Sequence, residues 1–216
     1  MKSTLFNMVV VLFSVTLIAS AGVGAVNMIT ADAIAEANAA ATTQAVANVL
    51  PAFESTEISE QTIDDMPIVV YKATNGSQTV GYAIESMTKN GFGGVIRLMV
   101  GFGTDGKILN VNVLQQAETP GLGTKMADEG NALINSIKDK IVWEVEFKVK
   151  KDGGELDALT AATISSRAYY EAVARAYQAF LVASGAKDKA DGVSGATATD
   201  SASNQGNSAQ KGGQNE

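Results

Sequence analysis

The stretch that decides the fold class is Val95-Ile-Arg-Leu-Met-Val-Gly-Phe102, followed by Thr104-Asp-Gly-Lys107 and Ile108-Leu-Asn-Val-Asn-Val-Leu114. Two apolar runs are separated by a turn sequence, and the second run alternates apolar and polar residues from Leu109 onward. Alternation with a period of two is typical of a strand with one buried face. Two such runs joined by a short turn predict an antiparallel, half-buried sheet.

The segments on either side extend this pattern. Residues 68–71 and 80–84 are strand-like and flank Asn75-Gly76, a strong hairpin turn signal. Residues 141–149 alternate as a further strand, while residues 126–137 and about 165–183 carry helical spacing. The sequence therefore predicts an α+β domain, a small antiparallel sheet with packed helices.

The N-terminal segment is apolar and carries no charge from Thr4 to Thr30. A run of about 20 apolar residues is long enough to cross a bilayer as a helix. The alternative is a cleaved signal peptide, with Ala19-Ser20-Ala21 as the cleavage site. Because the uncharged run continues past that site, we favour a retained anchor. Lys2 before the span and Asp32 after it predict a cytoplasmic N-terminus, with the following residues outside.

Composition changes divide the rest of the chain. We expect an anchor over 1–29, an exposed Ala-rich stalk helix over 30–51 that ends at Pro51, a domain over 60–184 and a disordered tail over 185–216. The tail is rich in Gly, Ser, Ala, Asp, Asn and Gln.

Composition also excludes several kinds of chemistry. The 216 residues include no Cys and no His, so thiolate metal sites, disulfides, histidine-ligated haem and imidazole bases are impossible. The net charge is −7 and there are only three Arg, which argues against nucleic-acid binding. We expect no metal site. Redox chemistry in this chain therefore requires a bound cofactor.

The most informative motif is Asp157-Ala-Leu-Thr-Ala-Ala-Thr163-Ile-Ser-Ser166, which opens the last helix. Small residues before a helix N-terminus let an anion approach exposed backbone N–H groups, and the helix dipole favours negative charge there. Thr163 lies where a capping hydroxyl is expected. Because hydroxyl caps are common, these residues alone favour a purely structural helix cap.

This motif resembles the flavinylation motif of the FMN-binding domain family, Asp-x-x-Ser/Thr-Gly-Ala-Thr-x-Ser/Thr. Such domains occur in the G subunit of the Rnf ion-translocating electron transport complex and in the C subunit of the sodium-translocating NADH:quinone reductase. Glu118-Thr-Pro-Gly-Leu-Gly123 is similar to the family's loop against the flavin, and Gly91-Phe-Gly-Gly-Val-Ile96 fits as well. Without the resemblance, the loop at 118–123 is an ordinary turn after a strand.

The resemblance implies that Thr163 carries FMN through a phosphodiester, attached from FAD by a separate magnesium-dependent flavin transferase that releases AMP. It implies that Gly121 and Gly123 allow close approach of the backbone to the ring and that Leu122 covers an apolar edge. Either Thr119 or backbone N–H groups would hydrogen-bond the ring heteroatoms. The implied cofactor-binding residues are Thr160, Ala161, Ala162, Thr163, Ser165 and Ser166, with Glu118, Thr119, Gly121, Leu122 and Gly123. No residue of this chain is expected to be catalytic.

Two departures and several alternatives accompany this assignment. Ala161 stands where the family has glycine, which costs about 1 kcal/mol if the position needs a positive φ. The tail sequence Asp191-Gly-Val-Ser194-Gly-Ala-Thr197-Ala-Thr199 matches the motif more literally, so Thr197 is an alternative acceptor. Lys125 and Arg167 are candidates to pair the phosphodiester. Trp143, Tyr169 and Tyr170 either stack on the flavin or pack in the core, and Glu144 and Glu146 form a solvated face.

The function that the resemblance implies is an electron-carrier subunit of a bacterial inner-membrane complex that couples ferredoxin- and NAD-type electron transfer to ion translocation. Its partners would be the other membrane subunits and the flavin transferase, with the domain on the periplasmic side. Alternatives are an exported binding module without flavin and a flavoprotein of an extracellular or respiratory reductase system.

Overall fold

The computed structural model describes residues 5–186, and the tail motif around Thr197 lies outside these residues. The chain begins with α1, Leu5–Val49, a continuous helix of 45 residues, or about 68 Å. It is the one helix among the described residues that is long and apolar enough to cross a membrane. The side chains of its apolar part are exposed, as a membrane-spanning segment requires.

A five-stranded antiparallel sheet follows, and its strands pair in chain order. The strands are β1 (Ser55–Ile63), β2 (Met66–Asn75), β3 (Gln78–Thr88), β4 (Ile96–Gly103) and β5 (Ile108–Gln115). The predicted antiparallel sheet is confirmed, including the hairpin turn at Asn75-Gly76. The sequence pattern did not predict β1, which begins before the expected domain boundary at residue 60. Its side chains are almost all exposed, so β1 lacks an apolar period.

Helix α3 (Thr163–Ser184) packs on one face of the sheet and forms the main core with it. Phe180 of α3 stacks on Phe102 of β4, with ring centroids 5.0 Å apart. The helix predicted over 126–137 is interrupted. A 3-10 helix spans Gly123–Ala127, Gly130 adopts φ 62°, and α2 (Ala132–Ile137) starts after Asn131, whose side chain caps it.

The prediction of a strand over residues 141–149 is wrong. The segment forms a short 3-10 helix at Val142–Glu144, and only isolated bridges pair its ends, from Ile141 to Lys107 and from Val149 to Leu156. Its alternation has another cause, because Val142, Val145 and Val149 are buried in the core while Glu144 and Glu146 are exposed. No neighbouring strand among the described residues supplies a ladder of hydrogen bonds.

The second face of the sheet is covered by the end of α1. Ala45, Val46 and Val49 are buried against the sheet, and the Asn110 side chain donates to the Asn48 carbonyl at 3.1 Å. Gly101 of β4 permits this contact, since a Cβ there would lie 2.0 Å from the Val49 carbonyl oxygen. The expected half-buried sheet is thus covered on both faces near α1. The stalk is exposed except over its last turns.

Candidate functional site

A pocket of about 380 Å³ lies at the N-terminal end of α3. Three chain segments form its walls: the glycine loop (residues 91–94), the loop after β5 (residues 118–124) and the start of α3. Lys151 adds the one charged side chain among its lining residues. Those residues are Phe92, Thr119, Leu122, Gly123, Lys151, Ala161, Ala162, Thr163, Ile164 and Ser165.

The start of α3 presents free backbone donors to this pocket. The Ser166 N–H donates to the Ala162 carbonyl at 3.0 Å and is the first to bond in the helical pattern. The N–H groups of Thr163, Ile164 and Ser165 are therefore available at the positive end of the helix dipole. This geometry favours a bound phosphate.

The turn before α3 is fixed by Ser166 and by the backbone of Ala161. The Ser166 hydroxyl donates to the Ala162 carbonyl and accepts from the Leu159 N–H, both at 2.9 Å. Ala161 adopts φ 59°, the left-handed conformation that favours glycine. The positive φ considered for this position from the sequence is therefore present in the backbone.

The four hydroxyls of the motif differ in what they bind. Ser166 is fully buried and engaged in the turn, and Ser165 donates to the Glu118 carboxylate. Within residues 5–186, the hydroxyls of Thr160 and Thr163 have no hydrogen-bond partner, and only Thr163 of these two lines the pocket. The expected capping role of Thr163 is wrong: Thr163 is the first residue of α3, the cap position is Ala162, and no side chain caps the helix.

The loop after β5 is a compact turn. The N–H groups of Leu122 and Thr124 both donate to the Thr119 carbonyl, at 3.1 and 3.4 Å. Gly121 adopts φ 75°, and its N–H donates to the Thr124 hydroxyl at 3.0 Å. These bonds leave the Leu122 side chain exposed at the pocket.

Apolar side chains surround the pocket. Outside α1, the structure shows five large apolar side chains that are exposed in the described residues. Three of these, Phe92, Leu122 and Ile164, line this pocket. Their convergence provides an apolar surface for a flat ring, next to the N–H groups suited to a phosphate.

Ion pairs hold the neighbouring segments. The Arg167 guanidinium donates to both oxygens of Asp152, at 2.7 and 2.6 Å, and this hydrogen bonding holds the pKa of Asp152 below its usual value. Lys150 donates to Asp157 at 2.5 Å and lowers the pKa of that carboxyl in the same way. Asp157 therefore anchors the motif, while Arg167 is engaged by Asp152.

Comparison with known proteins identifies the family. The FMN-binding domain model matches residues 91–178, which include all three walls of the pocket. A Shewanella amazonensis protein, named as the G subunit of an ion-translocating oxidoreductase complex, is 34% identical over 188 residues, covering 81% of this chain and 87% of that relative. The chain belongs to this G-subunit family.

Shorter matches to other members of the G-subunit family agree. The Shewanella baltica protein is 40% identical over 115 residues, or 52% of this chain and 54% of that relative. The Vibrio vulnificus protein is 39% identical over 126 residues, or 56% of this chain and 60% of that relative. As a family member, this chain carries an FMN-binding domain.

Several residues proposed from the sequence lie elsewhere in this family member. Tyr169 and Tyr170 are buried in the core, where desolvation raises the pKa of both phenols, and the Tyr170 hydroxyl donates to the Asp157 carbonyl at 2.8 Å. Trp143 packs over Gly106, and neither it nor Lys125 lines the pocket. Core packing, the alternative for the three aromatic residues, therefore accounts for them.

The pocket also contains residues that were not among the candidate site residues, namely Phe92, Lys151 and Ile164. Ile164 directly follows Thr163 in the motif, whereas the tertiary structure places Phe92 and Lys151 near Thr163 from distant parts of the sequence. The signal for Phe92 was the resemblance of Gly91-Phe-Gly-Gly-Val-Ile96 to the family.

Proposed function

We propose that this chain is the electron-carrier subunit of a membrane-bound, ion-translocating oxidoreductase complex, and that it holds FMN through a phosphodiester at Thr163. The observation that carries this proposal is the unpartnered Thr163 hydroxyl, among the described residues, in a pocket at a helix N-terminus. Ser165 and Ser166, the neighbouring hydroxyls, are already bonded. The G-subunit relatives and the FMN-binding domain support the same function.

The pocket fits the chemical parts of FMN. Its volume of about 380 Å³ is within the usual range for small-molecule sites. The N–H groups at the start of α3 and the Lys151 ammonium would neutralise the phosphodiester. Phe92, Leu122 and Ile164 would cover the ring and exclude water from it.

Attachment would use the Thr163 hydroxyl as acceptor for a separate flavin transferase. The threonine oxygen would bond to the FMN phosphorus of FAD as the bond between the two phosphates breaks. AMP then leaves and the hydroxyl proton is released. Thr163 is thus an attachment site, and no residue of this chain is catalytic by itself.

The bound FMN would supply one- and two-electron transfer, which no side chain of a protein without Cys and His provides. One domain and one membrane helix form neither an ion channel nor a complete electron pathway. Other membrane subunits would supply these parts. We propose that α1 anchors the chain in the bacterial inner membrane, with the N-terminus cytoplasmic and the FMN domain periplasmic.

The proposal is tested by expressing the full chain with an active flavin transferase and measuring flavin fluorescence on a denaturing gel. We expect fluorescence for the wild type, its loss in Thr163→Ala and retention in Thr104→Ala. Thr104 is the control because it is exposed in the turn between β4 and β5 and lies outside both the motif and the pocket lining. Full fluorescence in Thr163→Ala would contradict the assignment. A colourless wild type would favour a binding module without flavin.

A further inference from the structure

Glu118 is a buried carboxylate where the three pocket walls meet. Its side chain is 4% exposed. One carboxylate oxygen accepts from the Gly93 N–H at 3.0 Å, and the other accepts from the Ser165 hydroxyl. A single side chain therefore links the glycine loop, the loop after β5 and the first turn of α3.

Glycines enclose this carboxylate. A Cβ on Gly91 would lie 2.6 Å from a Glu118 oxygen. A Cβ on Gly123 would lie 2.7 Å from the Glu118 Cβ and 2.8 Å from the Ser165 hydroxyl oxygen. The backbones of the two loops thus approach Glu118 more closely than any other residue type allows.

The charge of Glu118 is not balanced by an ion pair within the described residues. Arg175, the other buried charged side chain of residues 5–186, is paired with Asp64 and Glu171. Burying a carboxylate without a cation is costly and requires strong hydrogen bonds. The bonds from Gly93 and Ser165 are of the charge-assisted kind, about twice as strong as neutral ones.

Each segment that Glu118 links contributes a wall of the pocket. The glycine loop supplies Phe92, the loop after β5 supplies Leu122, and the first turn of α3 supplies Thr163. Glu118 itself does not line the pocket, so any effect on a ligand must act through these neighbours or through its charge.

We propose that Glu118 is a positioning residue for the flavin: its carboxylate holds the Phe92 loop against the Thr163 end of α3 and keeps a negative charge beside the pocket. The effect on the flavin rests on the proposed function. The link that Glu118 makes between Gly93 and Ser165, called the clamp below, does not. Because reduction adds negative charge to a flavin, a nearby carboxylate disfavours reduction in a site of low dielectric. Removing that charge will make the reduction potential more positive.

The clamp is tested in the full chain made without the transferase, using amide hydrogen exchange. In Glu118→Ala we expect at least tenfold faster exchange of two bonded amides: that of Gly93, which loses its acceptor, and that of Ser166 at the start of α3. Ser165→Ala removes one bond only, so the α3 turn should respond more than the glycine loop. Wild-type exchange rates in Glu118→Ala would overturn the clamp. If Glu118→Ala does not fold, Ser165→Ala decides the same question.

The charge is tested in the flavinylated chain by measuring the reduction potential of Glu118→Gln. Glutamine keeps the shape of the side chain and one acceptor oxygen for the Gly93 N–H, and its NH2 group can donate to the Ser165 hydroxyl oxygen. Glu129→Gln is the control, since Glu129 is exposed and lies close in sequence. We expect a positive shift in Glu118→Gln alone. Equal potentials in both variants would overturn the electrostatic part. A wild type without flavin would instead contradict the proposed function. The amide-exchange measurement would still test the clamp, because it uses the chain without flavin.

Discussion

Ala161 lies next to the proposed attachment site in a strained backbone conformation. Its φ of 59° is a conformation that glycine adopts freely and that costs other L-residues about 1–2 kcal/mol. The residue lies in the turn directly before Thr163, so the strain lies in the backbone that orients the proposed acceptor. Ser166, which bonds on both sides of this turn, helps to maintain the conformation.

Replacing Ala161 by glycine will stabilise the protein by up to about 1 kcal/mol, because relief of strain exceeds the added freedom of the unfolded chain. The measurement is denaturant unfolding of the full chain in detergent. Ala158→Gly is the control, since Ala158 belongs to the same motif and has no positive φ. Glycine there will destabilise the protein. A loss of stability in Ala161→Gly as large as in Ala158→Gly would show that position 161 is unstrained.

Residue identities allowed part of the site to be predicted. The motif at 157–166 and the loop at 118–123 are contiguous in sequence, and the structure brings Thr119, Leu122, Gly123 and Thr163 to one pocket. The stretch 91–96 resembles the family but did not show that Phe92 lies beside Thr163, and no local pattern indicated Lys151, because both contacts depend on long-range packing. Arg167 was a candidate to pair the phosphate. Its guanidinium instead donates to Asp152, 15 residues earlier in the chain.

At the scale of elements, the sheet and α3 were predictable because their apolar periods are strong. The segment 141–149 was misread for the same reason. Its period of two reflects contact with the core, with Phe147 packed against Tyr177 of α3 at 6.4 Å between ring centroids. Periodicity reports which side chains are buried, but it does not report whether a hydrogen-bonded partner strand exists.

The docking of α1 on the sheet depends on Gly101. A Cβ there would lie 2.0 Å from the Val49 carbonyl oxygen, so Gly101→Ala must displace the end of α1. We expect faster amide exchange over residues 45–50 and a loss of about 1–3 kcal/mol in stability, as for overpacked cores. Ala47→Ser is the control because Ala47 is exposed on the same turn. Wild-type exchange in Gly101→Ala would show that the helix end is not held there.

At the scale of the whole molecule, α1 joins the apolar segment to the sheet without a break. If residues up to about 29 lie in the membrane, the remaining 20 or so residues of α1 hold the FMN domain about 30 Å away from it. Because the last turns of α1 are docked, the helix also fixes which face of the domain turns toward the other subunits.

We expect the α1 stalk, residues 30–49, to transmit rotation to the FMN-binding domain. Inserting two alanines between Ala39 and Ala40 rotates the domain by about 200°, while inserting seven rotates it by only about 20° from its original phase. Flavin attachment should be unchanged in both variants. Electron transfer within the assembled complex should fall sharply with two residues and less with seven. Equal activity of the two insertions would show that the stalk does not orient the domain.

Tryptic mass spectrometry of the full chain co-expressed with its flavin transferase would show which residue carries the FMN. Cleavage separates the two candidate sites, because residues 152–167 contain Thr163 and residues 190–211 contain Thr197. We expect one FMN phosphoester per chain, on the peptide 152–167, and its loss in Thr163→Ala. FMN on the peptide 190–211 alone, or on neither peptide, would exclude Thr163 as the attachment site.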